Sequence, residues 1–107
     1  MDNMKESDWK IFRELHPIAL QRAFDQTAPE IQRLSTEAGK SSKDRFWATF
    51  DYLKDQREEI GRLFDDFRRS TALLQLAFIV RKNYITADEL ARFSPDAQDF
   101  VRGVLKL

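Results

Sequence analysis

The side chains that could do chemistry in this sequence are few and stand apart. His16 is the single histidine, it precedes Pro17, and cysteine is absent. A hydrolytic triad needs a histidine held next to a nucleophile, and a zinc site needs several histidine or cysteine ligands. No glycine-rich phosphate loop and no paired-carboxylate motif is present either. The sequence therefore predicts a protein that is not an enzyme and that holds no cofactor or metal.

Arg57 is the charged residue whose position in the sequence most suggests a structural or binding role. It interrupts a series of apolar residues at helical spacing, where a buried guanidinium needs a carboxylate partner or must extend to solvent. We expect Asp25 or Glu30 to be that partner, because both lie on the helix that should pack against Arg57. A polar residue inside a helical interface commonly fixes the register of the helices. We interpret Arg57 in this way, and not as a ligand-binding arginine.

The balance of charge argues against several classes of protein. Eighteen Lys and Arg residues face eighteen Asp and Glu residues, whereas nucleic-acid and anionic-membrane binders usually carry a basic excess. Glu58 with Arg62, and Asp65 with Arg69, are spaced i, i+4, which predicts ion pairs on a solvated helix face. The N-terminal residues lack the apolar core of a signal peptide, and the longest apolar run, 72–80, is too short to cross a bilayer. We expect a cytoplasmic protein without a membrane segment.

The strongest pattern in the chain is a heptad stripe from Phe46 to Phe78. Spacings of 4 and 3 alternate throughout, which keeps one helix face turned toward a partner helix. No proline occurs between Pro29 and Pro95, so the stripe predicts one long helix over 42–82, roughly 60 Å in length. With the neighbouring Trp47, the stripe gives the interface that we predict: Phe46, Trp47, Phe50, Leu53, Arg57, Ile60, Phe64, Phe67, Leu74 and Phe78.

The first half of the chain should supply the partner of this helix. We expect residues 1–6 to be disordered. Because of Pro17 and Pro29, residues 7–38 form either one bent helix or two to three shorter segments, and we predict the bent helix because a second apolar stripe continues in phase across Pro29. Gly39 is typical of a helix C-cap and leaves room only for a short turn. Two long helices joined in this way form an antiparallel hairpin.

The last segment, 86–107, should form a small helical cap. Thr86 and Glu89 have the spacing of a capping box, and Ser94 is followed by a proline and an acid, as at many helix starts. Two short helices are therefore expected here. The predicted fold is all-α: a single domain with a long antiparallel hairpin and two short C-terminal helices.

The long helix also has a wider apolar arc than one partner helix needs. Two hairpins packed about a twofold axis would cover it in a dimer that resembles a four-helix bundle. The alternative is a monomer in which the C-terminal helices fold back over that arc. We predict the homodimer.

We therefore predict a small non-enzymatic protein–protein interaction module, or adaptor, that self-associates and binds a protein partner. The alternative is a nucleic-acid-associated regulator, because segment 86–102 has the pattern of a helix-turn-helix. Asp96 and Asp99 would face the phosphates in that arrangement, which argues against it. A third hypothesis is a small-molecule sensor with an apolar pocket between Trp9, Phe12 and Trp47.

Overall fold

The computed structural model describes residues 3–106, which form six α-helices and no strand. The helices are α1 (Glu6–Asp25), α2 (Ala28–Ser35), α3 (Ser42–Phe64), α4 (Ala72–Arg81), α5 (Ala87–Leu90) and α6 (Pro95–Leu105). The all-α class predicted from the sequence is confirmed. The molecule is elongated, with extents of 52 × 27 × 24 Å.

The hydrophobic core lies at one end of the molecule, which we call the head. It is built from the N-terminal segment, α1, the last turn of α3, and α4 to α6. Its largest fully buried side chains are Met4, Phe12, Leu15, Leu76, Ile79 and Val101. The other end, which we call the arm, comprises residues 24–59, and no residue in that range is buried. The arm therefore has no core of its own.

In the arm, α2 packs on the first half of α3. Thr27 lies with Leu53 at one end of the pair, and Ser35 lies with Ser42 at the other, so the two helices run antiparallel. Ser41 begins α3, because its hydroxyl accepts a hydrogen bond from the Asp44 amide at 3.0 Å. The predicted hairpin is present, but it is much shorter than the sequence suggested.

The expected bent helix over 7–38 is two helices. α1 ends at Asp25, and α2 begins at Ala28 with Pro29 in its first turn. A proline is accepted there but removes a backbone hydrogen bond from the middle of a helix. Pro17, by contrast, is accommodated inside α1. The prediction of one continuous helix across Pro29, which was based on the apolar stripe, was therefore wrong.

The predicted helix over 42–82 is also two helices, separated at 65–71. Asp66 has a φ of 56°, which ends helical geometry. Gln75 Nε2 donates to the Asp65 carbonyl at 2.9 Å, and Thr71 Oγ1 donates to the Asp66 carbonyl at 2.8 Å. This turn folds α4 into the head, where five of its ten residues are buried. A straight rod would leave those residues in water, so burial outweighs the heptad pattern.

The N-terminal segment is ordered from residue 3, contrary to the disorder expected over 1–6; residues 1 and 2 lie outside the described part. Met4 is fully buried. Its amide donates to the Arg69 carbonyl at 3.1 Å, and the Arg69 guanidinium donates to the Met4 carbonyl at 2.8 Å. The N-terminal segment thus fastens the turn between α3 and α4 to the head.

The cap helices α5 and α6 lie within the segment expected for them, of which residue 107 is not described. The Thr86 and Glu89 capping box forms in both directions. Ser94 caps α6 through the Ala97 amide at 3.3 Å, and its own hydroxyl donates to Asp8 at 2.6 Å. Asp8 therefore joins α1 to the start of α6.

Candidate protein-interaction surface

The structure divides the predicted interface residues between the arm and the head. Those of the arm are exposed: Phe46, Trp47, Phe50, Leu53 and Arg57. Those that follow belong to the head: Ile60 and Phe64 are buried, and Phe67, Leu74 and Phe78 are half-buried. The stripe is therefore not one surface, and only its first half, from Phe46 to Arg57, is exposed.

Three aromatic rings of the arm form an ordered surface. Phe46 and Trp47 have ring centroids 5.3 Å apart at an interplanar angle of 87°, and Trp47 and Phe50 are 5.7 Å apart at 84°. Such edge-to-face pairs are the favoured arrangement of aromatic side chains. The rings lie within two turns of α3, whose backbone holds them in place. They present a preformed apolar surface rather than separate exposed side chains.

Two further side chains extend this surface toward the head. Leu53 is 44% exposed and Phe24, at the end of α1, is 52% exposed. We name the set of Phe24, Phe46, Trp47, Phe50 and Leu53 the aromatic surface. Phe24 was not among the predicted interface residues, because no sequence signal separates an inward from an outward position at the end of a helix.

The area of the aromatic surface is large for a small protein. At about 200 Å² for one fully exposed aromatic side chain, its exposed fractions correspond to roughly 500 Å² in total. Contiguous apolar patches of that size lie near the upper end for monomeric proteins and usually mark an interaction site. The arm therefore displays an area that a partner would be expected to cover.

A groove of about 600 Å³ adjoins this surface where α1 meets α3. Its apolar wall includes Leu20, Phe24 and Ile60, and Arg57 and His16 are among its polar side chains. The guanidinium of Arg57 is exposed and forms no salt bridge with any residue from 3 to 106. Arg57 therefore keeps its charge available next to an apolar wall.

The carboxylate partners predicted for Arg57 are engaged elsewhere. Glu30 pairs with Arg33, and Asp25 accepts a hydrogen bond from Gln21 at 2.9 Å. Arg57 lies at the surface and not inside the hairpin, so no buried charge has to be neutralised. The prediction of a partner on the first helix was wrong.

His16 has a structural position between α1 and α3. Its Nε2 donates to the Phe64 carbonyl at 3.1 Å, which satisfies one of the free carbonyls at the end of α3. The ring stacks on Phe67 with centroids 3.9 Å apart. Burial is the main cause that lowers the pKa of His16, so the neutral imidazole is favoured.

The predicted ion pairs on α3 do not form. Glu58 and Arg62 make no salt bridge with each other, and Arg69 pairs with Glu6 at 3.0 Å instead of with Asp65. Asp65 and Arg69 do not pair because α3 ends at Phe64, and i, i+4 spacing brings side chains together only within a helix.

The apolar pocket expected between Trp9, Phe12 and Trp47 is not formed either. Trp9 packs in the head, with its ring centroid 4.7 Å from that of Phe67 and 6.4 Å from that of Phe12. Trp47 lies on the arm.

The helix-turn-helix pattern of the C-terminal segment has another explanation. α5 has only four residues, and the start of α6 packs against α1 through Ser94 and Asp8. Arg22 holds α5 from the other side, with a bidentate pair to Glu89 at 2.6 and 3.0 Å. This pair is the main cause that lowers the pKa of Glu89 to about 2. The polar residues of this segment thus serve its attachment to the head.

Within residues 3–106, no three His, Cys, Asp or Glu side chains are grouped closely enough to hold a metal ion. None of the helices in that range combines the length and the apolar character that a membrane span requires.

Comparison with known proteins gives one consistent result. No protein-family model matches the chain. The sequence is similar to the fluorescence recovery protein of Synechocystis sp. (strain ATCC 27184 / PCC 6803 / Kazusa), with 26% identity over 89 residues, which are 83% of this chain and 79% of that protein. A solved structure of the fluorescence recovery protein from Synechocystis sp. PCC 6803 superposes with a TM-score of 0.79 at 22% identity, over 96% of this chain and 98% of that one. The two proteins share this helical fold.

Proposed function

We propose that this chain is a non-catalytic regulator that binds a protein partner and acts in the recovery of fluorescence. The similarity to the fluorescence recovery protein extends over most of both chains and includes the arm as well as the head. The name of that relative describes a process and not a chemical reaction, which agrees with our prediction from the sequence that the chain is not an enzyme. Regulation of this kind requires an exposed binding surface.

The observation that carries the proposal is the aromatic surface of the arm. Its rings are held in fixed geometry on α3, and none of the residues from 24 to 59 is buried. Aromatic side chains and arginines are enriched where proteins bind each other tightly. Arg57 lies at the edge of this surface without a salt-bridge partner in the described chain.

We further propose that two copies of the chain associate through their arms. Two aromatic surfaces would together bury roughly 1,000 Å² of apolar area, which is the apolar share of a standard protein interface of about 1,600 Å². The α2–α3 pairs of two chains would then form a four-helix bundle. Association supplies the core that the arm lacks by itself.

The regulatory role can be tested in Synechocystis cells that lack their own fluorescence recovery protein. We expect this chain to restore the recovery of cellular fluorescence, and a variant with Trp47→Ala to restore it more slowly. A matched control is Ile18→Ala, since Ile18 is also exposed, at 42%, but lies on the head portion of α1. Cells in which the wild-type chain accumulates without any effect on fluorescence recovery would contradict the proposed role.

Self-association has a separate test, the mass of the purified protein in solution. We expect twice the mass of one chain at micromolar concentration. The mass of a single chain over the full accessible range of concentration would contradict the dimer and would leave the regulatory role to be judged by the cell experiment.

A further inference from the structure

A second surface with a distinct chemistry lies on the head and the adjoining end of the arm, between the end of α3 and α4. It is a groove of about 350 Å³ lined by Glu59, Arg62, Leu63, Phe78, Arg81 and Lys82. We name it the basic groove. It shares no residue with the aromatic surface, so a ligand could occupy it while the arms are covered.

Two positive charges in the basic groove are not neutralised by the fold. Lys82 pairs with Glu59, whereas Arg62 and Arg81 form no salt bridge anywhere in residues 3–106. Of the eleven arginines of this chain, six have a carboxylate partner among residues 3–106: Arg22, Arg33, Arg68, Arg69, Arg92 and Arg102. Arg62 and Arg81 belong to the five that have none, and both line the basic groove.

The wall between these charges is apolar. Phe78 and Leu63 are half-buried, and the Cζ atom of Arg81 lies 5.3 Å from the centroid of the Phe78 ring. This contact holds the guanidinium over the ring, as in other cation–π pairs. The groove thus combines positive charge with an apolar wall. A simple inorganic anion would bind the positive charge but would leave the apolar wall uncovered.

The other end of the groove limits how long an acidic ligand can be. A smaller cavity of about 220 Å³ continues past Arg62 and Phe78 to Asp65 and Asp66. Asp66 is paired with Arg68, but Asp65 forms no salt bridge among the residues described. A run of carboxylates along the whole groove would be repelled there, so the acidic part of a ligand belongs near Arg62 and Arg81.

We propose that the basic groove docks a segment of a protein partner in which a carboxylate side chain stands next to an apolar one. The carboxylate would pair with Arg81 or Arg62, and the apolar side chain would cover Phe78 and Leu63. This proposal rests on the proposed function only in that the partner is a protein. It does not require self-association.

The test uses the full chain and a synthetic peptide with the sequence Asp-Glu-Leu-Phe-Asp-Glu, followed by NMR of the ¹⁵N-labelled protein. We expect the peptide to shift backbone signals around Phe78 and Arg81 and to bind more weakly as salt is added. The combined variant Arg62→Glu and Arg81→Glu should weaken binding by roughly tenfold or more, because attraction becomes repulsion at two sites. The control Arg33→Glu and Arg102→Glu changes the net charge equally and should bind as the wild type does.

The outcomes separate this proposal from the alternatives. Equal binding by the two double variants would overturn it, as would shifts confined to the aromatic surface. Equal competition by inorganic phosphate and by unlabelled peptide would show a general anion site and would also overturn it. A monomeric mass in solution would refute the dimer without affecting the peptide-binding result. Thermal melting of each variant checks that the variant is folded.

Discussion

Replacement of Phe46 by glutamate should dissociate the proposed dimer without unfolding the chain. Phe46 is 62% exposed, the highest value among the large hydrophobic residues from 3 to 106, which leaves about 120 Å² of its surface for a partner. At about 25 cal/mol per Å² this area is worth about 3 kcal/mol per chain, and a twofold interface uses it twice. Even if only half of it is covered, the loss is about 3 kcal/mol, so the dissociation constant should rise roughly 100-fold.

Sedimentation velocity over a wide range of concentration measures this change directly. The midpoint between dimer and monomer should move to a concentration roughly 100 times higher in the Phe46→Glu variant. The monomer should keep the helical circular dichroism of the wild type, because the replaced side chain has no buried neighbours to lose. Arg33→Glu, on α2, is a control for added negative charge on the arm. An unchanged midpoint in Phe46→Glu would show that the dimer, if present, does not use the aromatic surface.

Three further predictions concern the head, each measured by chemical unfolding at fixed protein concentration. Met4→Ala should lower the free energy of unfolding by about 2–4 kcal/mol, because Met4 is fully buried. The control Asn3→Ala should be nearly neutral, because Asn3 is exposed. Equal effects of the two substitutions would mean that the N-terminal segment does not support the core. Asp8→Asn should cost about 1–3 kcal/mol, because the two carboxylate oxygens accept separately from the amide and the hydroxyl of Ser94, and asparagine replaces one of these acceptors with an NH₂ donor. A loss below the error of measurement would refute this. Glu89 has a folded-state pKa of about 2 against 4.5 normally, so the stabilisation that it provides is present above pH 4.5 and is lost as the pH falls toward 2. Glu89→Gln should remove about 1–2 kcal/mol of this pH-dependent stability. A variant whose stability has the same pH profile as the wild type would contradict the pairing with Arg22.

Local patterns in the sequence predicted local structure well. The Thr86 and Ser94 caps both form, because a cap depends on residues within one turn of the helix start. The aromatic surface was also identified in large part, since Phe46, Trp47 and Phe50 are close enough on one helix to share a face wherever that helix lies.

Contacts between distant residues were not predicted. Arg22 with Glu89, Arg69 with Met4 and Asp8 with Ser94 join residues more than sixty positions apart. No spacing rule connects such pairs, so the sequence could not anticipate them. Arg69, for example, left its predicted partner because the helix that would have joined them ends first.

The heptad stripe shows where the limit lies. The sequence by itself determined that the chain is helical, where several helices begin, and that one helix face is rich in aromatic residues. Only the tertiary structure decided that the stripe divides at 65–71, with Phe64 buried in the head and Phe46 exposed on the arm. The physical reason is that helical periodicity records which side chains share a face, whereas burial depends on whether the rest of the chain can reach that face. The head is reached by the N-terminal segment, α1, α4 and α6, whereas no residue of the arm is buried.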